Sequence, residues 1–165
     1  MRILITGHKG QLGRELWRAL AGEALLGADL PELDITDASA ISQAIADFRP
    51  DVVLHPAAYT DTAGCERDPD LAYGVNALGT RNVALACQRA GAVMLYISTN
   101  EVFDGQKTEP YLEWEQPNPL NVYAKSKLAG EWYVQMLLER FYIVRIAWLY
   151  SRAATSFVPK SLQAA

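Results

Sequence analysis

The chain has 165 residues, 50% of them hydrophobic and 21% charged, with a net charge of −4. That length supports one domain with a sizeable core, and scattered Lys and Arg on an acidic total argue against nucleic-acid or anionic-membrane partners. No apolar run approaches the roughly 18–20 residues that span a bilayer, and the opening MRILITG leads into a glycine-rich turn instead of a cleavage site.

Short β-rich runs alternate with longer helical stretches. Arg2–Thr6 (RILIT) reads as a buried strand, followed by a glycine turn and a helix from Gln11 to Ala21. Ala24–Ala28 is a weaker strand, and Asp37–Phe48 has helical spacing with Asp37 as a candidate N-cap. Asp51–His55 is a third strand. One long helix is expected from Pro69 to Arg89, stopped by Gly91. Val93–Ser98 is a fourth strand, Asn100–Asn121 is loop-like, Val122–Glu139 is helical and Tyr142–Ala147 is a strand. Thr155–Ala165 reads as the start of a further helix. The alternation predicts right-handed βαβ units, hence an α/β, Rossmann-type doubly wound parallel sheet in three αβα layers. Residues 1–165 form one dinucleotide-binding domain on this reading, incomplete at its C-terminal end. An unfinished sheet leaves apolar surface for self-association, such as a homodimer, or for another partner. Cys65 and Cys87 do not make a disulfide framework and read as reduced residues of a cytoplasmic protein.

The segment ITGHKGQLGREL places G-x-x-G-x-x-G between a strand and a helix. Glycine there permits a tight turn with positive φ and lets the backbone approach a pyrophosphate, while the helix N-terminus offers free N–H groups to the anion. Gly7, Gly10, Gln11, Leu12 and Gly13 are therefore expected to bind a dinucleotide. Asp29, at the end of the second strand, suits the adenosine ribose of NAD(H). Lys9, inside the loop, suits the 2′-phosphate of NADP(H). The two point in opposite directions, and the choice stays open.

Tyr123 and Lys127 form Y-x-x-x-K at i and i+4 on one helix face. A free phenol is a weak acid, with pKa about 10, and an adjacent ammonium lowers it toward working pH. Ser98 and Thr99 stand at the carboxyl end of the fourth strand, where ligands of open α/β sheets sit. Thr99, Tyr123 and Lys127 are the expected catalytic set.

The longer glycine spacing and this trio resemble the extended short-chain dehydrogenase/reductases. ISTNEVFDG, PLNVYAKSKLAGE and RIAWLY resemble, more narrowly, the dTDP-4-dehydrorhamnose reductase family. That resemblance implies NAD(P)H-dependent reduction of the 4-keto group of a nucleotide-linked deoxysugar. It implies that Thr99 and Tyr123 bind and protonate the keto oxygen, that Lys127 holds the nicotinamide ribose, and that Asn100 and Trp148 contact the sugar. Asp34 and Ile35 would touch the adenine, and Ala57, Ala58 and Tyr59, in HPAAYT, would line the nicotinamide ribose. His55 and Pro56 depart from the family's usual residues, and His55 is expected to pack beside the cofactor rather than react. Glu15 matches a position used for magnesium in some members, with a solvated helix carboxylate as the plainer reading. Where the family has Thr-Asp-Tyr, this chain has Thr99-Asn100-Glu101. Nucleotide-sugar 4,6-dehydratases and epimerases are the alternative, although Asn100 cannot supply the acid that water elimination needs. A non-catalytic regulatory subunit, similar to that of methionine adenosyltransferase, is a second alternative. The resemblance covers essentially the whole chain but only part of a usual member, so most of the substrate lobe is expected to lie beyond it. This length alone is expected to bind dinucleotide and turn over sugar nucleotide poorly.

Overall fold

The computed structural model describes residues 1–150. The helix expected over Thr155–Ala165 lies outside them. Five strands form one parallel sheet in the order β2-β1-β3-β4-β5, where β1 is Arg2–Thr6, β2 Ala24–Ala28, β3 Val52–His55, β4 Val93–Thr99 and β5 Phe141–Ile146. Every neighbouring pair is parallel, with Ile5 opposite Leu54 and Ser98 opposite Arg145. The chain moves outward from β1 to β2 and then returns past β1 to β3. The switch point therefore lies between the carboxyl ends of β1 and β3, where open α/β sheets bind ligands.

The helices are α1 (Gln11–Ala19), α2 (Ala38–Phe48), α3 (Thr62–Arg67), α4 (Pro69–Tyr73), α5 (Thr80–Ala90) and α6 (Val122–Leu137). Among the described residues none is long and apolar enough to cross a membrane. Asp37 caps α2 as expected, its carboxylate accepting from the N–H groups of Ser39 and Ala40. Gly91 ends α5 in the left-handed region at φ 67. The expected single helix over 69–89 is instead two α segments joined by a π-helical turn at Gly74–Gly79. α3 was not anticipated. It has six residues, opens on Thr-Ala-Gly and carries too little apolar periodicity to register. α1 and α6 stop two residues earlier than their sequence patterns suggest.

Right-handed crossovers put α1 on one face of the sheet and α2, α5 and α6 on the other. The second face is the core: Val53, Met94 and Tyr96 are fully buried beneath Ile41, Ile45, Val83 and Val134. Helices thus lie on both faces as expected, with the first face covered only in part among the described residues. On β5, Tyr142 and Val144 remain 65% and 37% exposed while their neighbours Phe141 and Ile143 pack inward.

Candidate functional site

A cleft of about 380 Å³ opens at the carboxyl ends of β1, β3 and β4. One wall is the loop between β1 and α1. Gly7 has φ 59, and a Cβ on it would come within 2.8 Å of Ala57 Cα, so the loop rests directly on the segment after β3. A Cβ on Gly13 would drive into Gly7 O and stand 2.6 Å from His8 Cα. Gly13 is thus the seat on which α1 folds back against the loop. Gly10 meets only Gly7 O, at 3.2 Å, and faces the cleft. No side chain caps α1, so the first N–H groups of Gln11, Leu12 and Gly13 are left for an anion. Gly13→Ala is expected to destabilise the fold by about 3 kcal/mol and to lose dinucleotide binding. Thermal unfolding and a cofactor titration check the two parts.

The opposite wall carries the trio. Thr99 ends β4 and is 5% exposed, its Oγ1 accepting from Glu101 N at 3.2 Å. That acceptance leaves the hydroxyl hydrogen free to donate. Asn121 caps α6 through Ala124 N, setting Tyr123 in the first turn and Lys127 one turn on. Thr99, Tyr123 and Lys127 all line the cleft. The sequence leads one to expect Lys127 to lower the Tyr123 pKa. Instead, burial and then the Glu101 carboxylate push it above its ordinary 10, with the Thr99 hydroxyl acting against them.

Lys127 is 1% exposed, and its Nζ has no hydrogen-bond partner among the described residues. It rests over the Tyr96 ring, 4.2 Å from the centroid. Burial pulls its pKa down to about 7, against a smaller opposing pull from Glu131. Glu131, one turn further along α6, is itself 1% exposed. It accepts from Ser98 Oγ at 2.5 Å and from Arg145 at 3.0 Å and 2.7 Å, a bidentate grip that locks α6 onto β4 and β5. Nothing in the sequence joins these three residues, which come from three separate elements.

Other anticipated residues fall in and around the cleft. Asn100, Ala58 and Trp148 line it, with Trp148 75% exposed at the rim. Tyr59 is held from behind: its N–H donates to Asn76 Oδ1 at 2.8 Å, and its carbonyl accepts from Asn76 Nδ2 at 3.0 Å. Asp29 accepts from the N–H groups of Lys9 and Leu30, at 2.8 Å and 2.9 Å. The Lys9 ammonium donates to Leu30 O and pairs with Glu32. Asp34 and Ile35 stand outside the cleft lining. Asp34 receives Thr36 N at 2.8 Å, and Ile35 is a core residue at 6% exposure. Glu15 pairs with Arg18 at 2.9 Å, and no cluster of three or more metal-ligating side chains occurs among the described residues. Sequence reasoning missed Thr6, Asn76, Thr80 and Ser126, all buried and all hydrogen-bonded behind the cleft. The only signal for them is their position, since polar residues in element interiors need partners.

The chain is similar over its whole length to known proteins. The family model described as the RmlD substrate binding domain matches residues 1–165. The dTDP-4-dehydrorhamnose reductase of Streptomyces griseus is 43% identical over 165 residues, which are 98% of this chain and 54% of that protein. A solved dTDP-4-dehydrorhamnose reductase of Clostridium acetobutylicum superposes with a TM-score of 0.95 at 42% identity, covering 99% of this chain and 59% of that one. The Bacillus anthracis reductase, solved in complex with NADP, gives 0.95 at 41% identity, with the same coverages of 99% and 59%. The chain thus spans about half the length of the curated relatives it matches. With the family match running from the first residue to the last, the chain belongs to the RmlD substrate binding domain family.

Proposed function

We propose that this chain is the cofactor-binding and proton-donating part of a dTDP-4-dehydrorhamnose reductase, which reduces the 4-keto group of a nucleotide-linked deoxysugar with NAD(P)H. The observation that carries the reading is that Thr99, Tyr123 and Lys127 line the same cleft as the glycine loop. The residues fit a dinucleotide. Glycines make the approach of an anion to the α1 N-terminus sterically open, and Lys127 presents a buried ammonium with no hydrogen-bond partner among the described residues, suited to ribose hydroxyls.

When bound, the nicotinamide supplies the hydride. The chain's own residues do the rest. Thr99 donates a hydrogen bond to the keto oxygen, and Tyr123 Oη gives that oxygen its proton as it becomes a hydroxyl. The raised pKa of Tyr123 suits this direction, because the acid stays loaded at neutral pH. Asn100 hydrogen-bonds a sugar hydroxyl, and Trp148 covers the sugar at the rim. The Asn100 carboxamide is too weak an acid to protonate a leaving hydroxyl, and Asn121 Nδ2 holds the Glu101 carboxylate at 2.6 Å. Both points favour reduction over water elimination. Cys65 and Cys87 are buried free thiols, in keeping with a cytoplasmic reaction.

The test is oxidation of NADPH or NADH by the full-length protein on a dTDP-4-keto-6-deoxysugar. A full-length protein that binds cofactor but oxidises neither would defeat the enzyme reading. Lys9→Ala should weaken NADPH binding about tenfold while leaving NADH nearly unchanged, the size expected for one charged contact to a 2′-phosphate. Parallel titrations of the two cofactors decide this, and equal losses would remove Lys9 from cofactor choice.

A further inference from the structure

His55 ends β3 and is completely buried, yet it neither lines the cleft nor reaches a reacting atom. Both ring nitrogens are engaged. Nδ1 lies 2.6 Å from Thr6 Oγ1 and Nε2 lies 3.1 Å from Thr80 Oγ1. The directions of these bonds follow from their neighbours. The single hydroxyl hydrogen of Thr80 goes to the carbonyl of Asn76 at 2.7 Å. Thr80 must therefore accept from His55, which puts the imidazole proton on Nε2. Nδ1 is then an acceptor, and Thr6 donates to it. The lone pairs of Thr6 are left to receive Ala57 N–H at 3.4 Å.

We infer that His55 is a positioning residue for the dinucleotide: a neutral Nε2–H imidazole that orders a one-way chain of hydrogen bonds from Ala57 to Asn76. At one end the chain fixes Ala57, on which Gly7 rests. At the other it reaches Asn76, whose side chain grips Tyr59 and donates to Ser126 Oγ at 3.0 Å. Ser126 in turn donates to the carbonyl of Tyr123 at 2.7 Å. The floor of the cleft and the helix of the catalytic pair are thereby held in one register. The ring also lies against Tyr96, centroids 5.6 Å apart and planes at 23°, the same ring that supports Lys127. Burial disfavours charge on the ring, and the Lys127 ammonium adds to that, so the imidazole stays neutral. The inference rests on the cofactor reading above only in what the floor supports.

Nitrogen-resolved NMR of the histidines in the full-length protein tests the chain directly. The neutral Nε2–H tautomer of His55 is expected at pH 7, and an Nδ1–H tautomer or an imidazolium would overturn the inference. NADPH titration gives the functional arm. Thr6→Val and His55→Phe should each raise Kd about tenfold, roughly one lost hydrogen bond. The double variant should be no worse than either, because both cut the same link. His55→Asn keeps an acceptor near the Nδ1 position and should recover most of the affinity. Wild-type affinity in a folded Thr6→Val protein would also overturn the inference, and that variant remains informative where His55→Phe fails to fold. A wild-type protein that binds no dinucleotide would instead defeat the cofactor reading, with the tautomer still deciding the hydrogen-bond chain.

Discussion

Tyr123→Phe in the full-length protein is expected to lower kcat for the keto-sugar by about three orders of magnitude while leaving NADPH affinity nearly unchanged. The substitution removes one oxygen and its proton from a half-buried ring at the first turn of α6, where Asn121 caps the helix without using the phenol. Stability should hardly move, so the loss reports proton transfer and not folding. The pH dependence sharpens the expectation. Burial and the Glu101 carboxylate hold Tyr123 above its ordinary pKa of 10, so the phenol keeps its proton throughout the neutral range. The kcat for reduction should show no alkaline fall until pH exceeds 10, and Glu101→Gln should shift that fall downward. A kcat limb near pH 7 that Glu101→Gln does not move would assign the proton to another group.

Lys127→Met is expected to act in opposite directions on folding and on binding. Among the described residues the buried ammonium has no hydrogen-bond partner, and its pKa drops from 10.5 to about 7. The unfolded chain holds that proton up to 10.5, the folded one only to 7. Folding therefore releases a proton between these values, and stability climbs with pH across the window by about 1.4 kcal/mol per unit at most. Below pH 7 the cost of the buried charge is present in full. Methionine keeps the length of the side chain without the charge, so the variant should exceed the wild type below pH 7 by on the order of a few kcal/mol. The gap should close as pH approaches 10.5. Cofactor affinity should fall at least about tenfold, since a charged hydrogen bond to the ribose is lost. Denaturant midpoints against pH measure the first effect. A variant less stable than wild type at pH 6 would show that the charge is compensated.

Much of this fold is visible in the sequence because its strands are short runs of Val, Ile and Leu separated by glycine or by cappable helix starts. The glycine loop and the Tyr123–Lys127 pair are legible for the same reason: each is a local pattern whose spacing alone sets the geometry. What escapes is whatever depends on burial between distant segments. The sequence shows a lysine four residues from a tyrosine and suggests that the cation acidifies the phenol. It does not show that the ammonium loses its solvent or that Glu101 stands closer in effect. His55, Thr6 and Thr80 are equally silent, being ordinary polar residues until β1, β3 and α5 bring them together. Ser98, Glu131 and Arg145 are likewise assembled from separate elements. Ile35 makes the same point in reverse: a residue assigned to the cofactor by its neighbours in sequence lies against Gly79 in the core.

The π-helical turn at Gly74–Gly79 also bears on how the chain tolerates change in length. A turn closed one residue wider than the α form carries a surplus residue while the helix axis continues. Deleting one residue of that turn would restore ordinary winding with α4 and α5 still in phase, because the wide turn uses one residue more than an α turn for the same revolution. The contacts of α4 with α6 would be kept, and the loss would fall on Asn76 inside the turn, which would leave Tyr59 and Ser126. A single deletion would therefore be felt locally, where Asn76 reaches Tyr59 and, through Ser126, the carbonyl of Tyr123.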